Sequence, residues 1–393
     1  MHDPNSASTK TKVLIVFGTR PEAIKMAPII RGLRNSDKKF TIQVCTTGQH
    51  RKMLDQVLEI FNIHADYDFN LMEPGQQLSD LTALILSNMQ RLLSDLKPDL
   101  VLVHGDTTTT FATALACFYN NIPIGHVEAG LRTNNLDSPF PEEFNRQVVS
   151  RLARWHFAPT ELNKDNLVKE NIELDKIFVT GNTVVDSLSF VVDYLKANKD
   201  MQEEIRNKLN LELMQNWDLS KYVLITGHRR ENFGMGLIAI CDALKELANQ
   251  FPSVNFIYPV HLNPNVKRPV ENILGQVNNI YLIPPQDYLS FTYLLQNSYI
   301  VLTDSGGIQE EAPHLGKPVV VMREVTERQE AVDAGTAILV GAQTRAIVNA
   351  VAALLENEEL YIKMSRASNP FGDGHAADKI VKFLENAQTK QFK

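Results

Sequence analysis

Short apolar runs rich in valine, isoleucine and leucine recur along this chain, and amphipathic stretches long enough for helices separate them. Parallel strands cannot be joined by tight hairpins. They need a crossover that covers the sheet, so this alternation specifies parallel α/β architecture. The first series predicts strands at 13–17, 40–46, 100–104, 123–127, 155–158 and 177–179, with helices at 21–35, 50–61 and 78–96. In the second of these helices Met53, Leu54, Val57, Leu58 and Phe61 are spaced to share one face. A charged helical segment, 186–213, leads to a second series with strands at 222–226, 255–259, 280–283, 300–303, 318–322 and 337–340. Two consecutive series of similar length predict two Rossmann-like domains facing a central cleft, the usual place for a ligand. At 393 residues the chain also exceeds what one core normally organises.

Composition narrows the class. Hydrophobic residues at 44% and charged residues at 22% describe an ordinary globular protein. The formal charge of -7, from 39 basic and 46 acidic residues, argues against a nucleic-acid partner. Cys45, Cys117 and Cys241 are scattered and form no CxxC pair, which suits a reducing compartment. The polar start, and the lack of any run near the ~18 apolar residues that span a bilayer, predict a cytoplasmic protein without membrane contact. The histidines show neither HxxxH nor HxH spacing, so no metal site is expected.

The chemistry-bearing residues fall where strands feed loops. Asp106 follows the run 100–104, Glu128 follows 123–127, and Glu142 lies just beyond in Pro139-Phe140-Pro141-Glu142-Glu143. Neighbouring parallel strands present their carboxyl ends to one crevice. Three carboxylates clustered there predict proton transfer on a sugar or similar polar ligand, with crowding raising the pKa of at least one. Pro141 before Glu142 marks a helix start, where the dipole favours the ionised form.

Thr303-Asp304-Ser305-Gly306-Gly307 joins a strand to a helix, and backbone N–H groups at such a turn suit a diphosphate. Asp304 or Ser305 could serve instead as an ordinary helix cap, although a cap does not require two successive glycines. Glu311, one turn into that helix, could bind ribose hydroxyls. Gly18-Thr19-Arg20-Pro21 repeats the strand-to-helix turn, with Arg20 and, a turn later, Lys25 placed for phosphate oxygens. His228, followed by Arg229 and Arg230, stands at another strand end and could become charged beside a leaving diphosphate. His261 is a second candidate of the same kind. Gly234-Met235-Gly236-Leu237-Ile238-Ala239 fits a dinucleotide pattern by letter, but it lies well downstream of the strand ending near Thr226, so no nicotinamide cofactor is expected.

Seven segments in order carry a family resemblance: GTRPEAIK from Gly18, HGDTTTT from His104, HVEAGLRT from His126, FPEEFNR from Phe140, GHRREN from Gly227, DSGGIQEEAP from Asp304 and NPFGDG from Asn369. Together they resemble the non-hydrolysing UDP-N-acetylglucosamine 2-epimerases. The resemblance implies a GT-B-like fold in which an N-terminal domain, residues 12–184, carries the acid/base residues. Residues 185–372 form a UDP-binding domain, and a last helix near 376–387, within 373–393, crosses back to the first domain.

The resemblance further implies interconversion of UDP-N-acetylglucosamine and UDP-N-acetylmannosamine through anti elimination of UDP to 2-acetamidoglucal and re-addition, with no cofactor. Asp106, Glu128 and Glu142 match the family's acid/base carboxylates, and His228 matches a group that assists the leaving diphosphate. For the nucleotide the match carries over Arg20, His228, Ser305, Gly306, Gly307 and Glu311, with Gln286 and Phe291 near the uracil. Gln49, Arg229 and His261 are the implied contacts of a second, activating substrate molecule. A homodimer joined through the first domain, near helix 78–96, is also implied. One departure is Gln329, where the family often has proline; it predicts a looser turn around Arg328. Hydrolysing epimerases usually read GTRAEY where this chain has Gly18-Thr19-Arg20-Pro21-Glu22-Ala23, and a glycosyltransferase would need an acceptor site that nothing here specifies.

Overall fold

The computed structural model describes residues 10–48, 51–73, 75–213 and 221–387. The chain divides into two compact units: the first runs to Ser187 and takes up the chain again from Phe371, and the second spans Leu188–Pro370.

The first unit holds seven parallel strands: β1 (Thr11–Phe17), β2 (Phe40–Thr46), β3 (Tyr67–Asp68), β4 (Leu100–His104), β5 (Ile124–Val127), β6 (Trp155–Ala158) and β7 (Ile177–Val179). Their order is β3-β2-β1-β4-β5-β6-β7, so the winding reverses between β1 and β4. Both of those strands are buried almost throughout, as expected of a sheet covered on two faces. Leu14 and Val16 of β1 pack with Val101 and Val103 of β4 in a core that also takes Ile85, Met89 and Leu93 from the helix Leu78–Leu96.

The helix Ala376–Asn386 belongs to this unit and packs against the helix Arg20–Asn35. Its first turn is capped by Asp186, whose carboxylate accepts from the backbone N–H groups of Ala376 at 3.2 Å and Ala377 at 2.8 Å. Phe383 then joins Trp155, Phe157 and Phe178 in an aromatic cluster.

The second unit has six parallel strands: β8 (Tyr222–Thr226), β9 (Asn255–Pro259), β10 (Ile280–Ile283), β11 (Ile300–Thr303), β12 (Val319–Val321) and β13 (Ala337–Leu339). The order β10-β9-β8-β11-β12-β13 reverses between β8 and β11. The helix Met235–Gln250 contributes Leu237, Ile240, Leu244 and Leu247 to the core over β8, β9 and β11.

Two differences from the sequence expectations have local causes. The two-residue strand β3 is too short to carry a period. The charged segment is two helices, Thr183–Ala197 and Lys199–Leu213, because Asn198 caps the second through a 3.1 Å bond to the Met201 N–H. Among the described residues no helix is long and apolar enough to cross a membrane.

Candidate active site

In open parallel sheets ligands bind at the carboxyl ends of strands where the winding reverses. In the first unit that point is flanked by the loops after β1 and β4. A single buried carboxylate ties the two together. Glu22 Oε2 accepts from the N–H groups of Gly18 at 3.0 Å and Thr19 at 2.7 Å, and its Oε1 accepts from the Thr107 hydroxyl at 2.7 Å and the Thr110 hydroxyl at 3.2 Å. Thr19 answers as N-cap of the helix Arg20–Asn35, closing a capping box that sets Arg20 at the first helical position.

Glu128 follows β5 with φ at 63°, a left-handed conformation that a glutamate adopts only when its surroundings hold it there. Its side chain is buried. Oε2 takes a hydrogen bond from Asn182 Nδ2 at 2.6 Å and an ion pair from Lys25, while His104 Nε2 lies 3.7 Å away. Lys25, expected at phosphate, thus stands on this carboxylate. Burial pushes the His104 pKa down to about 4; Glu128 acts in the opposite sense and Lys25 in the same one, so the imidazole is neutral at pH 7.

Asp106 sits beside this group, after β4. Arg146 donates to its Oδ2 from Nε at 2.8 Å and from Nη2 at 2.7 Å, and Asn145 donates to its carbonyl at 2.7 Å. Arg146 is itself buried and pairs with Glu143 at 3.2 Å. Burial would raise the Glu143 pKa, but the Thr133 N–H, Gln147 and Arg146 outweigh it and hold the carboxylate below its ordinary range. The expected crowding of like charges is therefore corrected: Asp106 and Glu128 each face a cation.

Glu142 opens the helix Glu142–Leu152, one turn before Arg146. Its Oε2 is buried and has no hydrogen-bond partner among the described residues. Behind these groups, His126 Nε2 donates to the Gly105 carbonyl at 2.7 Å, beside Asp106.

In the second unit the loops after β8 and β11 meet through Asp304. Its Oδ2 accepts from the N–H groups of His228 and Arg229, each at 2.9 Å, and from Asn232 Nδ2 at 3.2 Å. Asp304 is therefore a clasp between two strand ends and not a helix cap. Ser305 occupies the N-cap of the helix Gly306–Glu311 without a side-chain capping bond. A Cβ on Gly306 would stand 3.0 Å from the Arg328 guanidinium, whereas one on Gly307 would meet nothing within 4 Å.

Arg328 is buried and donates to Glu310 at 2.8 Å, and its own N–H is held by the Thr326 hydroxyl at 3.1 Å. The turn before Gln329 is tightly held, contrary to the expectation of loosening. Glu311 is buried in the short helix.

His228 stacks on His261 with ring centroids 5.3 Å apart. Partial burial lowers the His228 pKa; Asp304 opposes this, and His261 and Arg229 reinforce it, so the ring is neutral near pH 7. Gln286 is buried, donating to Glu212 at 2.6 Å and to the Pro284 carbonyl at 2.7 Å, with Phe291 half-buried on the helix Tyr288–Asn297. Gln49 lies outside the described residues. Among those residues no group of three His, Cys, Asp or Glu side chains is arranged to hold a metal ion.

Residues 33–385 match the family model described as UDP-N-acetylglucosamine 2-epimerase. The chain belongs to that family. It is 55% identical over 377 residues to the UDP-N-acetylglucosamine 2-epimerase of Yersinia pestis, covering 96% of this chain and 99% of the relative. It is 54% identical over 379 residues to that of Escherichia coli K12, covering 95% and 98%. Among solved structures, the Neisseria meningitidis UDP-GlcNAc 2-epimerase bound to UDP-GlcNAc is 53% identical and superposes with a TM-score of 0.90 over 95% of this chain and 99% of that one. The Methanocaldococcus jannaschii UDP-GlcNAc 2-epimerase in complex with UDP-GlcNAc and UDP is 34% identical, with a TM-score of 0.81 over 95% and 99%.

Within this epimerase fold, three residues at the site have no counterpart among the sequence expectations: Glu22, Arg146 and Asn182. Glu22 was legible only as the partner of Thr19 in a T-x-x-E capping pattern. Asn182, directly before a helix, carries the ordinary signal of a cap. Arg146, one turn after Glu142, resembles a surface ion-pair position until burial is known.

Proposed function

We propose that this chain catalyses the reversible C2 epimerisation of UDP-N-acetylglucosamine to UDP-N-acetylmannosamine. The C2 hydrogen is not adjacent to a carbonyl, so direct deprotonation is slow. Breaking the C1–O bond first builds positive charge at C1 and acidifies that hydrogen. A carboxylate removes the proton from C2, the C–H electron pair forms the C1–C2 double bond, and UDP departs with the C1–O pair to leave 2-acetamidoglucal. Return of a proton to the opposite face of C2, with the UDP oxygen adding back to C1, gives the epimer. Atoms balance over the cycle without a cofactor.

One observation carries this reading beyond family membership: Glu128, buried and left-handed, holds its carboxylate among hydrogen-bond donors, one strand away from Asp106 clamped by Arg146. Asp106, Glu128 and Glu142 are the proposed proton carriers. His228 assists UDP departure; its loop is anchored by Asp304. Arg20, Ser305, Gly306 and Gly307 receive the diphosphate, and Glu311 the ribose. Gln286 Oε1, buried with no hydrogen-bond partner among the described residues, offers an acceptor for the imide N–H of uracil beside Phe291. Lys25 serves by pairing with Glu128. Gln49, Arg229 and His261 are proposed to meet a second, activating substrate molecule; His261 stacked on His228 supports this.

A homodimer is proposed through the helices Leu78–Leu96 and Thr108–Tyr119, which pack together and leave Leu78, Leu84, Phe118 and Tyr119 exposed. Three buried thiols accord with a cytoplasmic setting.

Incubation with UDP-N-acetylglucosamine in heavy water tests the reaction. Both epimers should carry deuterium at C2. Free N-acetylmannosamine would instead mark hydrolysis, and epimerisation without deuterium would exclude proton transfer with solvent.

A further inference from the structure

Asn182 sits between β7 and the helix Thr183–Ala197, and three of its polar groups are engaged. Its N–H donates to the Phe371 carbonyl at 2.7 Å, Oδ1 accepts from the Val184 N–H at 3.1 Å, and Nδ2 donates to Glu128 Oε2 at 2.6 Å. The Val184 N–H lies in the first helical turn and has no intrahelical carbonyl to serve, so the amide oxygen must face it. That requirement fixes which way the amide points. The face turned to Glu128 is then the NH2 group, which can only donate.

Lys25 approaches the same oxygen and also can only donate. His104 Nε2 from β4 lies 3.7 Å from the same oxygen, and Asp106 follows two residues later. Two donors on one oxygen favour its ionised form and fix its position. They also hold a side chain whose backbone occupies the left-handed region. Lys25 alone would supply charge on a flexible stem, whereas Asn182 is short and braced by the helix start and by Phe371.

We propose that Asn182 is a positioning residue for the reaction: it aims the Glu128 carboxylate and keeps a donor on it, so that Glu128 enters each turnover ionised. This rests on the reading of Glu128 as a proton carrier. Asn182 itself is assigned no contact with the substrate.

The variant N182D separates this role from capping. Aspartate caps a helix at least as well as asparagine, but here it would replace a donor by a second carboxylate at hydrogen-bond distance from Glu128. The expected result is a folded protein that melts below wild type, because two carboxylates then share a buried site, but binds UDP within threefold of wild type, with kcat at pH 7 lowered about 100-fold. The acidic limb of its pH–rate profile should move upward by roughly one unit, because the introduced carboxylate disfavours ionisation of its neighbour. N182S keeps an oxygen for the Val184 N–H but cannot reach Glu128, and its kcat should fall about tenfold without a shift in KM.

Wild-type kcat and an unmoved pH profile in N182D overturn the proposal. If N182D does not fold, N182S decides alone, and wild-type kcat there overturns it too. E128Q distinguishes the two levels: an active E128Q removes Glu128 from the proton carriers, while an inactive E128Q beside a normal N182D removes only the role of Asn182.

Discussion

Arg146 places both Nε and Nη2 on the same oxygen of Asp106, at 2.8 and 2.7 Å, while its Nη1 reaches Glu143 at 3.2 Å. One buried guanidinium thus fixes the carboxylate after β4 to the helix that begins at Glu142. Truncation to alanine strands the buried carboxylate of Glu143 and the partly buried one of Asp106. R146A should lose about 3 kcal/mol of stability and about 100-fold in kcat. R146K keeps the charge but offers a compact ammonium for a planar fork, so it should retain most of the stability and lose about tenfold in kcat. Urea melts and steady-state kinetics check both, and full activity in R146A would remove Asp106 positioning from the mechanism.

Asp304 performs the corresponding task in the second unit. It is almost wholly buried, at 1% exposure, and three donors converge on Oδ2. In D304N the amide oxygen can still accept, but the bonds lose their charge assistance and the amide NH2 takes the place of the other buried oxygen. The cost should be about 2 kcal/mol. The loop carrying His228 and Arg229 loosens with it, so the dissociation constant for UDP should rise roughly tenfold by calorimetry. Unchanged UDP affinity would show that this loop does not meet the nucleotide.

Three histidines of the first unit give the fold a pH dependence of known sign. Burial lowers the pKa of His104 to about 4, of His126 to about 3 and of His156 to about 4. The unfolded chain protonates these rings near pH 6.5, so on acidification it gains protons before the folded protein does. Their stabilising effect is complete above the unfolded value and declines as pH falls toward the folded ones. Each ring should remove about 1 kcal/mol between pH 6.5 and 5.5. Urea denaturation at about pH 7.5 and about pH 5.5, a wider interval, should therefore differ by about 4 kcal/mol from these rings. Replacing His156, which lies opposite His126 in the β5–β6 register, with glutamine should flatten the slope by about a third.

Legibility from sequence followed the range of the forces involved. Strands such as Leu100–His104 and Tyr222–Thr226 are continuous apolar runs with a turn at each end, so local pattern alone marks their limits. The loops after them follow from chain direction, which is why Asp106, Glu128, His228 and Ser305 were legible as strand-end residues. What each side chain meets depends on strand order. Lys25 reaches Glu128 only because the chain returns to lay β4 beside β1 and then β5 beside β4, a pairing across 103 positions. Asn182, Arg146 and Asp304 read as caps or surface charges for the same reason: their partners lie on other elements.

The two glycines after Ser305 separate packing from ligand contact. A methyl group on Gly306 would press on the buried Arg328 guanidinium, which is already committed to Glu310. G306A should thus displace that pair and lower stability by about 1 to 2 kcal/mol. Gly307 has open space around its Cβ position and lies within the helix Gly306–Glu311, where alanine is the better helix former by about 1 kcal/mol. G307A should fold at least as well as wild type. If open space beside Gly307 is where the diphosphate approaches the backbone, the added methyl obstructs it, and KM for UDP-N-acetylglucosamine should rise about tenfold while the melting temperature stays level or increases. A G307A enzyme with wild-type KM would place the phosphates elsewhere, and one with a lowered melting temperature would show that this glycine serves the fold.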